Sequence, residues 1–196
     1  MQIYHVSETF IEPMLGTVPK DPEVYKNWIL SRAPKAEEAD DELETVVDED
    51  KGWTGFHRLN GDHVLYDYMI KGFFKEACGA LRRVKGTKSS EIKAYKKMIN
   101  DLLFVYPRLT PLVLPPGQDL MVLERPLRAS GPQGERVALA RSDACPAGTT
   151  MEYELRILGG IDEKLLGEWL DYGAFKGRGQ WRSGGYGRFE YELKKA

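Results

Sequence analysis

Several things are scarce in this sequence. Two cysteines, Cys78 and Cys145, among 196 residues cannot build a disulfide framework. Three histidines, His5, His57 and His63, fall at no zinc-ligand spacing, so neither metal nor cofactor is expected. No run approaches the roughly 18–20 apolar residues of a membrane span. The opening MQIYHVSETFIEPML lacks the basic start and apolar centre of a secretion signal. A cytoplasmic, thiol-reduced protein without a membrane partner is the expectation. Net charge is scarce too, with 28 Lys+Arg against 30 Asp+Glu giving −2, which taken alone argues against a nucleic-acid binder.

That small total conceals an uneven distribution. Residues 37–50, EEADDELETVVDED, hold nine acidic side chains and no basic one, leaving 28 basic and 21 acidic residues, or +7, elsewhere. The segment has little to bury, so it reads as a solvated insert or as a negative surface for a basic partner. Trp28 and Trp53 flank it and are expected to anchor it to the core. Residues 71–97 carry nine basic and two acidic side chains, a local +7. Hydrophobic residues at 42% and aromatics at 11% suffice for a core in a single domain spanning 1–196.

The periodicities predict an α+β fold. QIYHVSE reads as a strand, and a short helix is expected to start at Asp21. Over 67–83, Ile70, Phe73, Phe74, Ala77 and Leu81 share an arc of about 100°, with Lys71, Lys75 and Arg82 beside it. A second helix, capped by Ser89 or Ser90, would carry Ile92, Tyr95, Ile99 and Leu102 on one face. Strands follow, including a long hairpin over 118–142 with a polar tip, decorated by Arg125, Arg128, Arg136 and Arg141. A helix with Leu165, Leu166, Trp169 and Leu170 inward leads into a glycine-rich loop at 173–188 and a last strand. With an insertion at 7–66 set aside, this is the βαββαβ order of a ferredoxin-like, RRM-like core.

The loop GAFKGRGQWRSGGYGRF is the most informative segment. Gly173, Gly177, Gly179, Gly184, Gly185 and Gly187 free the backbone for positive φ and close approach. Lys176, Arg178, Arg182 and Arg188 add four cations with no acidic neighbour. Backbone N–H groups and guanidinium forks suit phosphate oxygens, and Trp181 offers a stacking face for a base. It is not a dinucleotide fingerprint, because Arg182 stands where the third glycine belongs and a strand follows.

A helix followed by GRGQWRSGGYGRF and a closing strand resembles the glycine-rich loop of the CRISPR-associated repeat-associated mysterious protein (RAMP) superfamily. YMIKGFFKEACGALR, residues 68–82, is similar to the segment opening the first helix of that family's effector backbone subunits. Lys71 and Phe73-Phe74 stand where the family has proline and small polar residues. The whole chain also resembles stand-alone relatives carried by phages and prophages. The resemblance implies single-stranded RNA as ligand, bound by Lys71, Lys75, Arg82, Lys176, Arg178, Trp181, Arg182 and Arg188, with single-stranded DNA as a variant. It also admits a phage-encoded inhibitor or mimic that contacts CRISPR effector subunits, or self-association. Some members cleave RNA with a histidine base and no metal. His57 and His63 are the candidates here, with Asp62, Tyr66 and Tyr68 nearby. A non-enzymatic binder is the leading expectation, and Cys78 reads as a structural thiol.

Overall fold

A computed structural model describes residues 1–21, 23–26, 53–131 and 134–196, with only the backbone described for 127–131 and 134–138. The acidic segment 37–50, Trp28 and the side chains of Arg128 and Arg136 therefore lie outside the described residues.

Strand β1 (Gln2–Phe10) alternates, with Tyr4, Val6, Glu8 and Phe10 buried and His5 and Thr9 exposed. It pairs antiparallel with β12 (Phe189–Lys195) on one side and β11 (Thr150–Ile157) on the other. Strand β7 (Leu103–Tyr106) pairs antiparallel with β11, giving the sheet order β12-β1-β11-β7. Two helices, α1 (Asp67–Leu81) and α3 (Glu163–Lys176), pack against each other and against this sheet. Ile70, Phe73, Phe74, Ala77 and Cys78 from α1 and Leu165, Leu166, Trp169 and Leu170 from α3 enter a single core with the inward residues of the strands. A helix spanning two turns, α2 (Tyr95–Leu102), contributes Ile99.

The other side of this sheet is open and acidic. His5 lies opposite Glu154 and Lys194, Ser7 opposite Glu152 and Glu192, and Thr9 opposite Glu190. Four glutamates thus line β1, offset by Arg156 and Lys194, which pair with Glu154 and Glu192. The α+β class matches the sequence reading, but a phosphate backbone laid along this face would meet like charge.

The rest of the described chain forms two further sheets. One has β2 (Met14–Leu15), β3 (Val18–Pro19), β4 (Thr54–Gly55) and a hairpin of β9 (Met121–Gly131) and β10 (Gly134–Cys145). The other has β5 (His57–Leu59), β6 (Asp62–Tyr66) and β8 (Leu109–Pro111). Asn60 and Gly61, with φ of 52° and 98°, make the tight turn between β5 and β6 that Asn-Gly predicts. Asp21 accepts from the backbone N–H groups of Glu23 and Val24, so the chain turns helical at the expected residue.

Three boundaries differ from the sequence reading. Helix α3 runs to Lys176 and ends at Gly177 (φ 85°), so Gly173 and Lys176 are helical rather than in the loop. No Cβ fits at Gly173, because it would overlap the Phe73 ring. The expected second helix is split into a 3₁₀ turn, Lys88–Glu91, and α2. Thr87, not a serine, caps that turn, because the Ser89 hydroxyl is buried between Glu168 and the Trp169 indole N–H. The hairpin strands extend through most of the expected polar tip. Among the described residues no helix is long and apolar enough to cross a membrane.

Candidate nucleic-acid interface

The eight expected ligand side chains do not form one site. Lys71, Lys75 and Arg82 share a face of α1, and that face looks toward α2 and β7. The Lys71 ammonium donates to the Asn100 carbonyl (3.3 Å) and lies 4.8 Å from the Phe104 ring centre. Burial lowers its pKa. Arg82 lies 5.3 Å from the Tyr95 ring, and the Tyr95 hydroxyl sits where a side chain at Gly79 would be. The glycine loop meets α1 on another flank, roughly 100–140° around the helix. There Arg182 forms an ion pair with Glu76 at 2.6 Å.

Arg178 is the principal correction. It is 5% exposed, and its guanidinium grips the fully buried Glu8 through Nε–Oε2 (2.6 Å) and Nη2–Oε1. Tyr153 donates its hydroxyl to the same carboxylate at 2.6 Å, and Phe73 lies 3.8 Å from the guanidinium carbon. The paired carboxylate holds the arginine in its charged form despite burial, and burial beside Glu8 pushes the Tyr153 phenol up. This side chain anchors the loop from beneath and does not reach solvent phosphate. The sequence does carry one signal of its partner, because a glutamate between Val6 and Phe10 on an inward strand register marks a buried charge.

Six backbone amides of the loop are also committed. Gly177, Arg178, Gln180, Gly184, Gly185 and Gly187 donate their N–H groups to Gly173, Gly187, Leu15, Trp181, Arg182 and Pro13 carbonyls. These six are therefore not available to phosphate oxygens. A Cβ at Gly187 would overlap the Arg178 carbonyl, so this glycine serves a chain-on-chain contact. Trp181, 36% exposed, stacks on Tyr186 (4.9 Å, 17°) and has the Arg125 guanidinium 5.1 Å from its ring. Arg188 is exposed and Lys176 partly so. Arg141 is taken by Glu124 at 2.7 Å.

Exposed positive charge gathers instead at the far end of α1. Arg82, Arg83, Lys85, Lys88, Lys93, Lys96 and Lys97 are exposed through the 3₁₀ turn and into α2, with Glu91 the one carboxylate in that span. Lys88 pairs with Asp162, the N-cap of α3, and lowers the pKa of that carboxyl group. Glu168 accepts from the Lys88 and Ser89 amides and the Ser89 hydroxyl, so this lobe is fixed onto α3.

The two histidines line one cleft of about 490 Å³, together with Lys20, Tyr25, Phe56, Arg58, Tyr66 and Asp143. His57 is buried, with Nε2 3.4 Å from the Tyr68 hydroxyl and its ring edge-on to Tyr66 at 4.6 Å. Burial lowers its pKa. His63 is likewise lowered by burial and by Arg58, against the opposing pull of Asp143 and Asp62. Its buried Nδ1 has no hydrogen-bond partner among the described residues. Trp53 does anchor: its indole N–H reaches Asp143 at 2.8 Å, and Lys20 bonds the same carboxylate from 4.0 Å over the Trp53 ring. Among the described residues no cluster of His, Cys, Asp or Glu could hold a metal ion. Cys78 and Cys145 are buried and free, and burial pushes the Cys145 thiol up to about 12.

No protein-family model matches the chain, and no curated protein matches it. Solved structures do. One is a chain of the cryo-EM structure of the Type III-B Cmr-beta bound to cognate target RNA, at 12% identity and a TM-score of 0.56. That match covers 99% of this chain and 60% of the other, so the present chain spans about three fifths of that subunit's length. A second is a chain of the Type IV-B CRISPR Complex, at 11% identity and a TM-score of 0.49, covering 98% and 90%. What the first match shares with this chain is the fold.

Proposed function

We propose that this chain is a non-enzymatic, RAMP-like protein that binds single-stranded RNA and works with a CRISPR effector complex. In this reading 1–196 is one domain, and the sheet ordered β12-β1-β11-β7 with α1 and α3 on one side is its ferredoxin-like core. The observation that carries the binding surface is the exposed cationic lobe from Arg82 to Lys97. Arg178 takes no part, the glycine-loop residues Lys176, Trp181 and Arg188 lie on another flank, and the open sheet face is left out. The RNA-bound assembly that contains the structural neighbour supports an RNA ligand, and effector subunits as partners.

The test is fluorescence anisotropy of a labelled single-stranded RNA titrated at several salt concentrations. Lys93→Glu, Lys96→Glu and Lys97→Glu combined should weaken binding and flatten its dependence on salt. Each phosphate neutralised on a single strand adds about 0.7 to the slope of log K against log salt, so removing three such pairings lowers it by about 2. An unchanged slope would exclude the lobe. Affinity retained for an effector subunit but absent for RNA would favour the inhibitor or mimic reading, with segment 37–50 as its negative surface.

A metal-independent ribonuclease is the second reading, favoured by His57 and His63 lining one cleft with Tyr66. Cleavage in the presence of a chelator, abolished by His57→Ala or His63→Ala, would establish it.

A further inference from the structure

The cleft between β3, β5, β6 and β10 is built for more than holding two histidines. We propose that it binds a nucleotide, with the base against Tyr25, His57 and Tyr66 and the phosphate held by Arg58 and His63. The site goes beyond the RNA surface on the α1–α2 lobe and shares no residue with it.

Size and lining both fit. About 490 Å³ lies within the range of small-molecule sites, and its walls mix rings with a few polar groups. His57, itself buried, sits edge-on to Tyr66 and to Tyr25, with ring centres 4.6 and 6.2 Å away, and fixes the partly exposed Tyr25 and Tyr66 rings that a base would meet. Arg58 is exposed and lies directly across the β5–β6 hairpin from His63, so two nitrogen-bearing side chains converge from neighbouring strands. Asp143, the one carboxylate lining the cleft among the described residues, is engaged by Lys20 and the Trp53 indole. Its charge is therefore largely answered before an anion arrives. The His63 Nδ1 is buried and lacks a partner among the described residues. A buried polar atom left in that state is costly, and a turn of the imidazole that brings it to the cleft would let a phosphate oxygen accept its hydrogen bond.

A phosphate bound there would favour the imidazolium form of His63. Among the described residues, the charged groups acting on that ring are Arg58 and Asp62 of its own hairpin, Lys20 just after β3 and Asp143 of β10. The two acidic groups favour protonation, the two basic groups oppose it, and the arriving anion adds to the acidic side.

Isothermal titration of the full chain with AMP, UMP, GMP and CMP tests the proposal, with adenosine and inorganic phosphate as controls. Saturable 1:1 binding is expected for a monophosphate, at least tenfold tighter than for either control. Arg58→Ala and His63→Ala should each weaken it tenfold or more. Arg58 is exposed, so its variant should unfold at the same denaturant concentration as the parent. Once the phosphate's own second ionisation near pH ~6 is corrected for, affinity should rise between about pH 7.5 and 5.5 in the parent and stay flat in His63→Ala. The Lys93→Glu, Lys96→Glu, Lys97→Glu protein should bind AMP as the parent does, so the two proposals fail separately. In that background, tighter binding of a 5′-phosphorylated RNA tetramer than of its hydroxyl-ended form assigns the cleft to RNA ends. Equal tetramer affinities with tight AMP binding assign it to free nucleotides. No saturable binding of any monophosphate, or binding indifferent to both substitutions, overturns the proposal.

Discussion

Replacing Arg178 by methionine asks whether the glycine loop is held from inside by a charge pair. The wild-type guanidinium makes two bonds to the Glu8 carboxylate, with Arg178 5% and Glu8 0% exposed. Methionine fills part of the same apolar space against Phe73 but leaves Glu8 with the Tyr153 hydroxyl as its remaining side-chain donor. Removing one member of such a pair costs about 3–5 kcal/mol. A domain of this kind has about 5–15 kcal/mol in total, so the loss takes a large share. Urea denaturation should show a lower midpoint at unchanged m. The triple variant Arg178→Met, Glu8→Leu, Tyr153→Phe removes every polar member and should recover most of the loss, because apolar replacement of a whole buried pair is often neutral or better. A single-variant loss under about 1 kcal/mol, or a triple variant as unstable as the summed singles, would refute the account. So would a triple variant of normal stability that has lost RNA binding, since it would place the guanidinium on phosphate rather than on Glu8.

Two further outcomes follow from packing and titration. His57 and His63 are held below the ordinary histidine pKa by burial. The unfolded chain therefore binds more protons below about pH 6.5, so their stabilising contribution is full above that value and lost as pH falls toward the folded pKa. His57→Gln should flatten the stability profile between pH 7 and 5, and an unchanged slope would contradict the burial argument. Gly173→Ala places a methyl group on the Phe73 ring and should cost about 1–3 kcal/mol by chemical denaturation. Adding Phe73→Leu should return part of that loss, and no relief would show the strain lies elsewhere.

The elements were legible in the sequence because their periods are local. The apolar arc of α1, the alternation of β1 and the inward Leu165, Leu166, Trp169 and Leu170 of α3 each require only neighbours within a few residues. The site was less legible because its decisive partners are distant in sequence. Glu8 meets Arg178 across 170 positions, Arg182 meets Glu76 across 106, and Trp53 meets Asp143 across 90. A glycine-rich, arginine-rich loop has the same composition whether its amides face a ligand or carbonyls, and here six of them face carbonyls at Leu15, Pro13 and within 173–187. Lys93, just before α2, and Lys96 and Lys97 within it lie outside the apolar stripe, a position that by pattern alone reads as ordinary solvation, yet that placement keeps all three exposed.

The four glutamates of the open sheet face and the lysines and arginines beyond α1 lie on opposite sides of one sheet. Among the described residues this separation of charge gives an electric dipole that a total of −2 does not register. In the field of a polyanion that dipole would turn the described body cationic lobe first and hold the acidic face away. Its rate of association with a nucleic acid should then fall as salt is raised, the reverse of the trend that its total charge alone would give.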